Sequence, residues 1–210
     1  MRLPVWFALP VLAALGIAVE AAAADDDFYV KLKALLPPAS GAQACYARTY
    51  DAKHLAEHPK QKVSAIMLYL RYVLDAEEER ALTGTSTSDP DAFRYDFTRA
   101  ATFRNRPETV YASGQCSSTE SIFCGVECDG GGVELEPHPA EHGALLVRLD
   151  RGSGFIRMTP GCGDELEDAV LLESGADDKV FKLKAAPVAQ CAAMQAELDS
   201  DLEALYRGDD

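Results

Sequence analysis

The stretch from Gly114 to Pro137, GQCSSTESIFCGVECDGGGVELEP, holds three of the six cysteines and the strongest hairpin signals in the chain, and it restricts the fold more than any other segment. From Ser121 to Cys128 the pattern has period two, with Ile122, Cys124, Val126 and Cys128 on one face and Phe123, Gly125 and Glu127 on the other. In an extended strand Cys124 and Cys128 would lie about 13 Å apart, at about 3.3 Å per residue, beyond the roughly 7 Å reach of a disulfide. They cannot bond each other. Cys116 and Cys124, by contrast, flank the polar run Ser117 to Ser121, and a hairpin centred near Glu120 sets them opposite. That pair is the first predicted bridge. Asp129 to Gly132 then supplies positions free to take positive φ, as a tight turn into the next strand, Val133 to Glu136, requires.

The same alternation recurs along the chain. After a short amphipathic helix over Asp26 to Leu36, ended by Pro37 and Pro38, the segment Cys45 to Tyr50 is ambiguous. Asp51 can cap one or two helical turns as far as His58, because Pro59 stops anything longer. From Ser64 the period is two, with Ile66, Leu68, Leu70 and Tyr72 on one face. Asp75 to Asp91 is acidic and then Ser/Thr-rich, a surface connection with room for one helical turn. Strand-like segments follow at Phe93 to Ala100, Glu108 to Ala112, Ile122 to Cys128, Val133 to Glu136, Ala144 to Leu149, Phe155 to Thr159, Ala169 to Leu172 and Val180 to Lys184. Val188 to Tyr206 has helical spacing.

About nine short strands framed by two helices, without βαβ alternation, predict a mainly β fold: an antiparallel meander closed as a barrel or folded as a two-sheet sandwich, with a short N-terminal helix and a C-terminal helix. In a meander Cys116, Cys124, Cys162 and Cys191 collect near one rim and Cys128 at the other. The expected pairs are then Cys116–Cys124, Cys162–Cys191 and Cys45–Cys128. A Cys45–Cys191 clasp, which leaves Cys128 for Cys162, serves equally well. This outline resembles the lipocalin or calycin architecture over most of the chain. The Gly-x-Trp signature of the first lipocalin strand is absent, since the single tryptophan, Trp6, lies in the apolar leader. The resemblance implies an apolar ligand in the barrel mouth.

Met1-Arg2, the apolar run Leu3 to Val19 and the small residues Ala21 to Ala24 have the order of a secretory signal cleaved after Ala24. Residues 1–24 are therefore expected to be a signal peptide, and 25–210 a single disulfide-stapled β domain, periplasmic or secreted, with no stable membrane insertion after cleavage. Cleavage removes one base, Arg2, and one acid, Glu20, so the net charge of −14 is unchanged. Such a surface repels nucleic acid and suits a basic protein partner.

All four histidines fall in two segments of the form H-x-x-E-H, His54 to His58 and His138 to His142. On a helix, imidazoles at i and i+4 share a face and can chelate zinc or copper. The first also matches the inverted zinc-protease pattern, though Pro59 ends its helix at once. The leading reading is that these are capping and loop histidines and that no cofactor is bound; a metal ion held by His54, His58, His138 and His142 is the alternative. No G-x-S-x-G, S-x-x-K or phosphate-binding glycine signature occurs, and cysteines paired in an oxidising compartment offer no thiolate nucleophile, so no catalytic residue is assigned. Tyr46, Arg48 and Tyr50 beside Cys45, and Arg157 on a half-buried strand, suit either salt bridges or an anionic ligand pocket. The leading expectation is a non-enzymatic exported protein that binds a small apolar ligand or an envelope protein partner. The alternatives are a periplasmic metal-binding protein using the two histidine segments and a hydrolase whose site is assembled from distant residues.

Overall fold

The computed structural model describes residues 28–74, 80–82, 84, 94–158 and 170–207, with the backbone alone at 201 and 204–206. The expected signal segment, most of the acidic connection and Cys162 lie outside the described residues. Helix α1 (Val30–Leu35) leads into β1 (Gln43–Thr49), helix α2 (Ala52–Glu57) and β2 (Val63–Tyr72). Then come β3 (Tyr95–Phe103), β4 (Arg106–Ser118), β5 (Ile122–Gly125), β6 (Gly132–Pro137), β7 (Ala144–Arg148), β8 (Phe155–Met158), β9 (Val170–Glu173), β10 (Val180–Ala186) and helix α3 (Val188–Arg207).

Eight strands close into an antiparallel barrel in the order β1-β10-β7-β6-β5-β4-β3-β2, lipocalin-like in outline, while β8 and β9 form a separate hairpin. The expected barrel-or-sandwich fold is therefore a barrel. Alternation decides what fills it: Ile66, Leu68 and Leu70 of β2, Tyr95, Phe97, Ala101 and Phe103 of β3, and Leu145, Val147, Phe181 and Leu183 of β7 and β10 form one continuous core. Ile156, Met158 and Leu172 of the hairpin join it. The hairpin reaches the barrel through a Gly131–Ile156 bridge, where φ at Gly131 is +72° and a Cβ would sit 2.5 Å from the Phe155 carbonyl oxygen. Only glycine fits there.

The barrel's outer wall carries α3. Cys191 and Met194 pack on Cys45, Tyr69 and Ala100, outward residues of β1, β2 and β3, and Leu198 is also buried. β2 and β3 are thus covered on both faces. Burying Met194 and Leu198 contributes about 1.5–3 kcal/mol each. The closing seam of the barrel is short: Cys45, Tyr46 and Ala47 pair with Ala186, Ala185 and Lys184, whereas β1 pairs with β2 along its whole length.

The disulfides correct the sequence expectation in part. Cys116 and Cys124 are directly opposed in the β4–β5 ladder and bonded, with Cα atoms 4.1 Å apart, as the hairpin argument requires. Cys45 is bonded to Cys191, Cα to Cα 5.7 Å, so neither Cys162–Cys191 nor Cys45–Cys128 forms. The reason is that β1 turns Cys45 outward onto the wall where α3 docks, whereas the rim argument had no strand to fix its direction. Cys128 is also disulfide-bonded. It does not lie in a strand: β5 stops at Gly125, the Val126 N–H donates to Gly131 O, and Cys128 and Asp129 take left-handed φ of 55° and 58°. Aspartate tolerates that conformation, and Gly131 supplies the further positive φ expected of this turn.

The two ends of the barrel are closed differently. At one, α1 is a plug: Leu32 is fully buried, its N–H donates to Ser118 Oγ (3.0 Å), and the Tyr95 hydroxyl donates to Leu36 O (3.0 Å). The rings of Tyr29, Tyr72 and Tyr95 pack there with centroids 5.2–5.5 Å apart. At the other, the chain between β1 and β2 folds over as α2, a helix of six residues started by Asp51, whose Oδ1 accepts the His54 N–H at 2.7 Å, as expected.

Candidate functional site

Polar side chains inside the barrel gather at the α2 end. Alternation along β1 turns Tyr46 and Arg48 inward; Tyr50 follows the strand, and the Arg48 guanidinium lies 5.2 Å from the Tyr50 ring centroid. Tyr50 stacks on His54 at 4.6 Å and His54 on His58 at 4.3 Å. The His54 Nε2 lies 3.0 Å from Gln61 Oε1, and Gln61 Nε2 donates to Val63 O at 2.7 Å.

Asp178, just before β10, holds the same rim. Its Oδ2 accepts the Lys62 N–H at 2.7 Å and its Oδ1 the Val63 N–H at 3.4 Å, which ties the start of β2 to that of β10. Burial raises the Asp178 carboxyl above the ordinary aspartate range, and those two N–H groups oppose the rise. Tyr50 is pushed up to about 12, chiefly by desolvation and further by the Asp178 charge, while Arg48 and Arg99 pull it down. Its hydroxyl is therefore neutral at physiological pH.

Arg99 lies deeper. Its neighbours across the ladders are Leu68 on β2 and Ala112 on β4, and it stacks over the Phe181 ring at 5.6 Å. It is fully buried, and none of its three guanidinium nitrogens has a hydrogen-bond partner among the described residues. Desolvation lowers it to about 10, against the attraction of Tyr50 and Asp178, so it remains a cation at neutral pH. A recess of about 670 Å³ opens beside α2, lined by Leu55, Ser64, Thr102, Phe103 and the turn Arg104 to Pro107. Phe103 shares the inward face of β3 with Arg99.

Of the residues singled out in the sequence, Tyr46, Arg48, Tyr50, His54 and His58 meet at this end. His138 and His142 do not have the helical spacing assumed for them: they lie in the β6–β7 connection, where His138 Nδ1 accepts the Ala140 N–H at 3.3 Å. Pro139 and the turn replace the helix. Among the described residues no group of three or more His, Cys, Asp or Glu is placed to hold a metal ion, so the four histidines do not form one site. Arg157 is on β8, where its backbone N–H donates to Gly130 O at 2.7 Å. Arg99 and Gln61 were not foreseen, although Arg99 shares parity with Tyr95 and Phe97 in the strand identified there, and Asp178 reads in the sequence only as one of a pair of turn carboxylates.

The chain matches no known protein family, no curated protein and no solved structure.

Proposed function

We propose that this protein is a non-enzymatic ligand carrier of the bacterial envelope, which takes a small, largely apolar molecule into the barrel from the α2 end. The observation that carries the reading is the asymmetry of the two ends. One is plugged by buried Leu32 and the tyrosines around α1, while the other, covered by the six-residue α2 and by the β8–β9 hairpin docked at Gly131, keeps a recess beside α2 that is lined by Phe103, a core residue. Ligand sites in antiparallel barrels lie at such mouths. Two disulfides support an oxidising compartment outside the cytosol, and with them the removal of residues 1–24 on export to the periplasm. Among the described residues no helix is long and apolar enough to cross a membrane. A basic protein partner has less support, because Glu134, Glu136 and Glu141 on the outer wall are already matched by Arg148, Arg151, Lys182 and Lys184.

The test is native mass spectrometry of the periplasmic protein purified without chelators, followed by titration with an environment-sensitive apolar dye. Retained organic mass, or saturable one-to-one dye binding weakened by Phe103→Glu, is the expected result. A bare polypeptide with no saturable dye binding would overturn the proposal.

A further inference from the structure

Among the described residues only two charged side chains are fully buried, Arg99 and Asp178. They do not satisfy each other. Both Asp178 oxygens are engaged by backbone N–H groups, and Arg99 has five donors with no acceptor on any of its three nitrogens. Buried polar groups in native proteins are hydrogen-bonded as a rule, and a charged one without a partner is the costliest exception. A second inward guanidinium stands at this end: Arg48 lies over the Tyr50 ring, as Arg99 lies over Phe181, and its Nε is likewise buried and unpartnered among the described residues. Among the described residues, two inward guanidiniums against one buried carboxylate leave this end of the lumen one positive charge in excess.

We infer that Arg99, with Arg48 and the Tyr50 hydroxyl, forms an interior binding site for a carboxylate bearing a single negative charge. A guanidinium presents a planar fork that matches a carboxylate in two parallel N–H···O bonds. A neutral phenol adds a third donor. One negative charge balances the excess, whereas a phosphate dianion would reverse it and add a desolvation cost with no cation to meet it. The carboxylate belongs either to a small free acid or to the head of an acid whose apolar tail occupies the mouth. Only the second case rests on the carrier function proposed above.

The experiment compares acetate, octanoate and octanol by calorimetry at neutral pH, on the mature protein and on Arg99→Met. Octanoate should bind the native protein roughly 10- to 100-fold more tightly than octanol, the range that a charge-assisted hydrogen bond commands. In Arg99→Met the two should bind alike. Without ligand that variant should melt no lower than the native protein, since an apolar side chain of similar length replaces an unpartnered buried charge. Should it fail to fold, Arg99→Lys takes its place, and its octanoate affinity should fall because the fork is lost. Equal binding of octanoate and octanol by the native protein would overturn the carboxylate site and leave the apolar carrier standing. Acetate bound as tightly as octanoate would support the site and overturn the carrier. Octanoate affinity unchanged by Arg99→Met or Arg99→Lys, or no binding of any of the three, would overturn the site.

Discussion

Removing the Cys45–Cys191 bridge should cost more than removing Cys116–Cys124, by an amount set by the chain between the cysteines. The first bridge spans a sequence separation of 146 and the second one of 8. In the chain-entropy description a cross-link stabilises by restricting the unfolded chain, which gives about 5 kcal/mol for the long loop and about 2.5 kcal/mol for the short one. Smaller loops nested inside the long one trim its value by only a few tenths of a kcal/mol, roughly, because the dependence is logarithmic. Both pairs are buried, so replacing each by two alanines removes similar side-chain volume from similar surroundings, and the cavity cost largely cancels. The difference of about 2.5 kcal/mol then isolates loop closure, a large fraction of a domain stability of about 5–15 kcal/mol. Urea unfolding of Cys45→Ala/Cys191→Ala and Cys116→Ala/Cys124→Ala measures it, and the first variant should also show the steeper denaturant dependence, since its unfolded state is freed to expand. Equal losses, or a greater loss for the short loop, would refute the reasoning and move the stabilisation to local packing around each bridge.

Three other measurements bear on the fold and its site. Hydrogen bonds from Lys182 and Lys184 hold the Glu141 carboxyl down to about 2, from an ordinary value of 4.5. A depressed folded value means stability that is present above the unfolded pKa and lost as pH falls toward 2, so the difference in urea midpoint between native protein and Glu141→Gln should shrink over that interval and vanish at its acid end. Tyr50, raised to about 12, should be missing from the phenolate absorbance that rises near pH 10 and should appear only in stronger alkali. Because its raised value favours the protonated folded form, stability should decline from about pH 10 to 12; a phenolate difference between native protein and Tyr50→Phe centred near pH 10 would place the ring in water. With Cys45–Cys191 and Cys116–Cys124 assigned, the bond at Cys128 should map to Cys162 in a non-reducing digest, and recovery of Cys162 as a free thiol would contradict that.

The sequence carried the barrel in its alternation. The strands at Ile66, Phe97, Leu145 and Phe181, the helix capped by Asp51 and the Cys116–Cys124 hairpin were all visible because apolar side chains repeat at period two and turn residues separate them. What was hidden depended on partners distant in the chain. CYART, in β1, mixes Ala and Arg with a single aromatic and becomes a strand only because β2 and β10 pair with it. The length of β4 was concealed by Ser113, Gly114 and Gln115, whose small or polar side chains carry no apolar period. With β1 undefined, the direction of Cys45 was open, and so was the choice between Cys45–Cys128 and the Cys45–Cys191 clasp that forms. The site shows the same division: Arg48 and Tyr50 stood out beside a cysteine, whereas Arg99 occupies a position where the strand pattern calls for an apolar residue, and Asp178 looked like any turn carboxylate.

The short ladder between β1 and β10 bears on how the molecule matures. Cys45 lies in that ladder, and Cys191 lies on the helix that follows β10, so the bridge between them fastens the two sides of the closing seam. Without the bridge, closure rests on Cys45, Tyr46 and Ala47 alone, and whenever the seam parts β1 and β10 become free edges able to recruit a strand from another molecule. Oxidation of this one pair is then what separates a sealed barrel from an open sheet prone to self-association, which makes the order of bridge formation during biogenesis as consequential as the number of bridges finally formed.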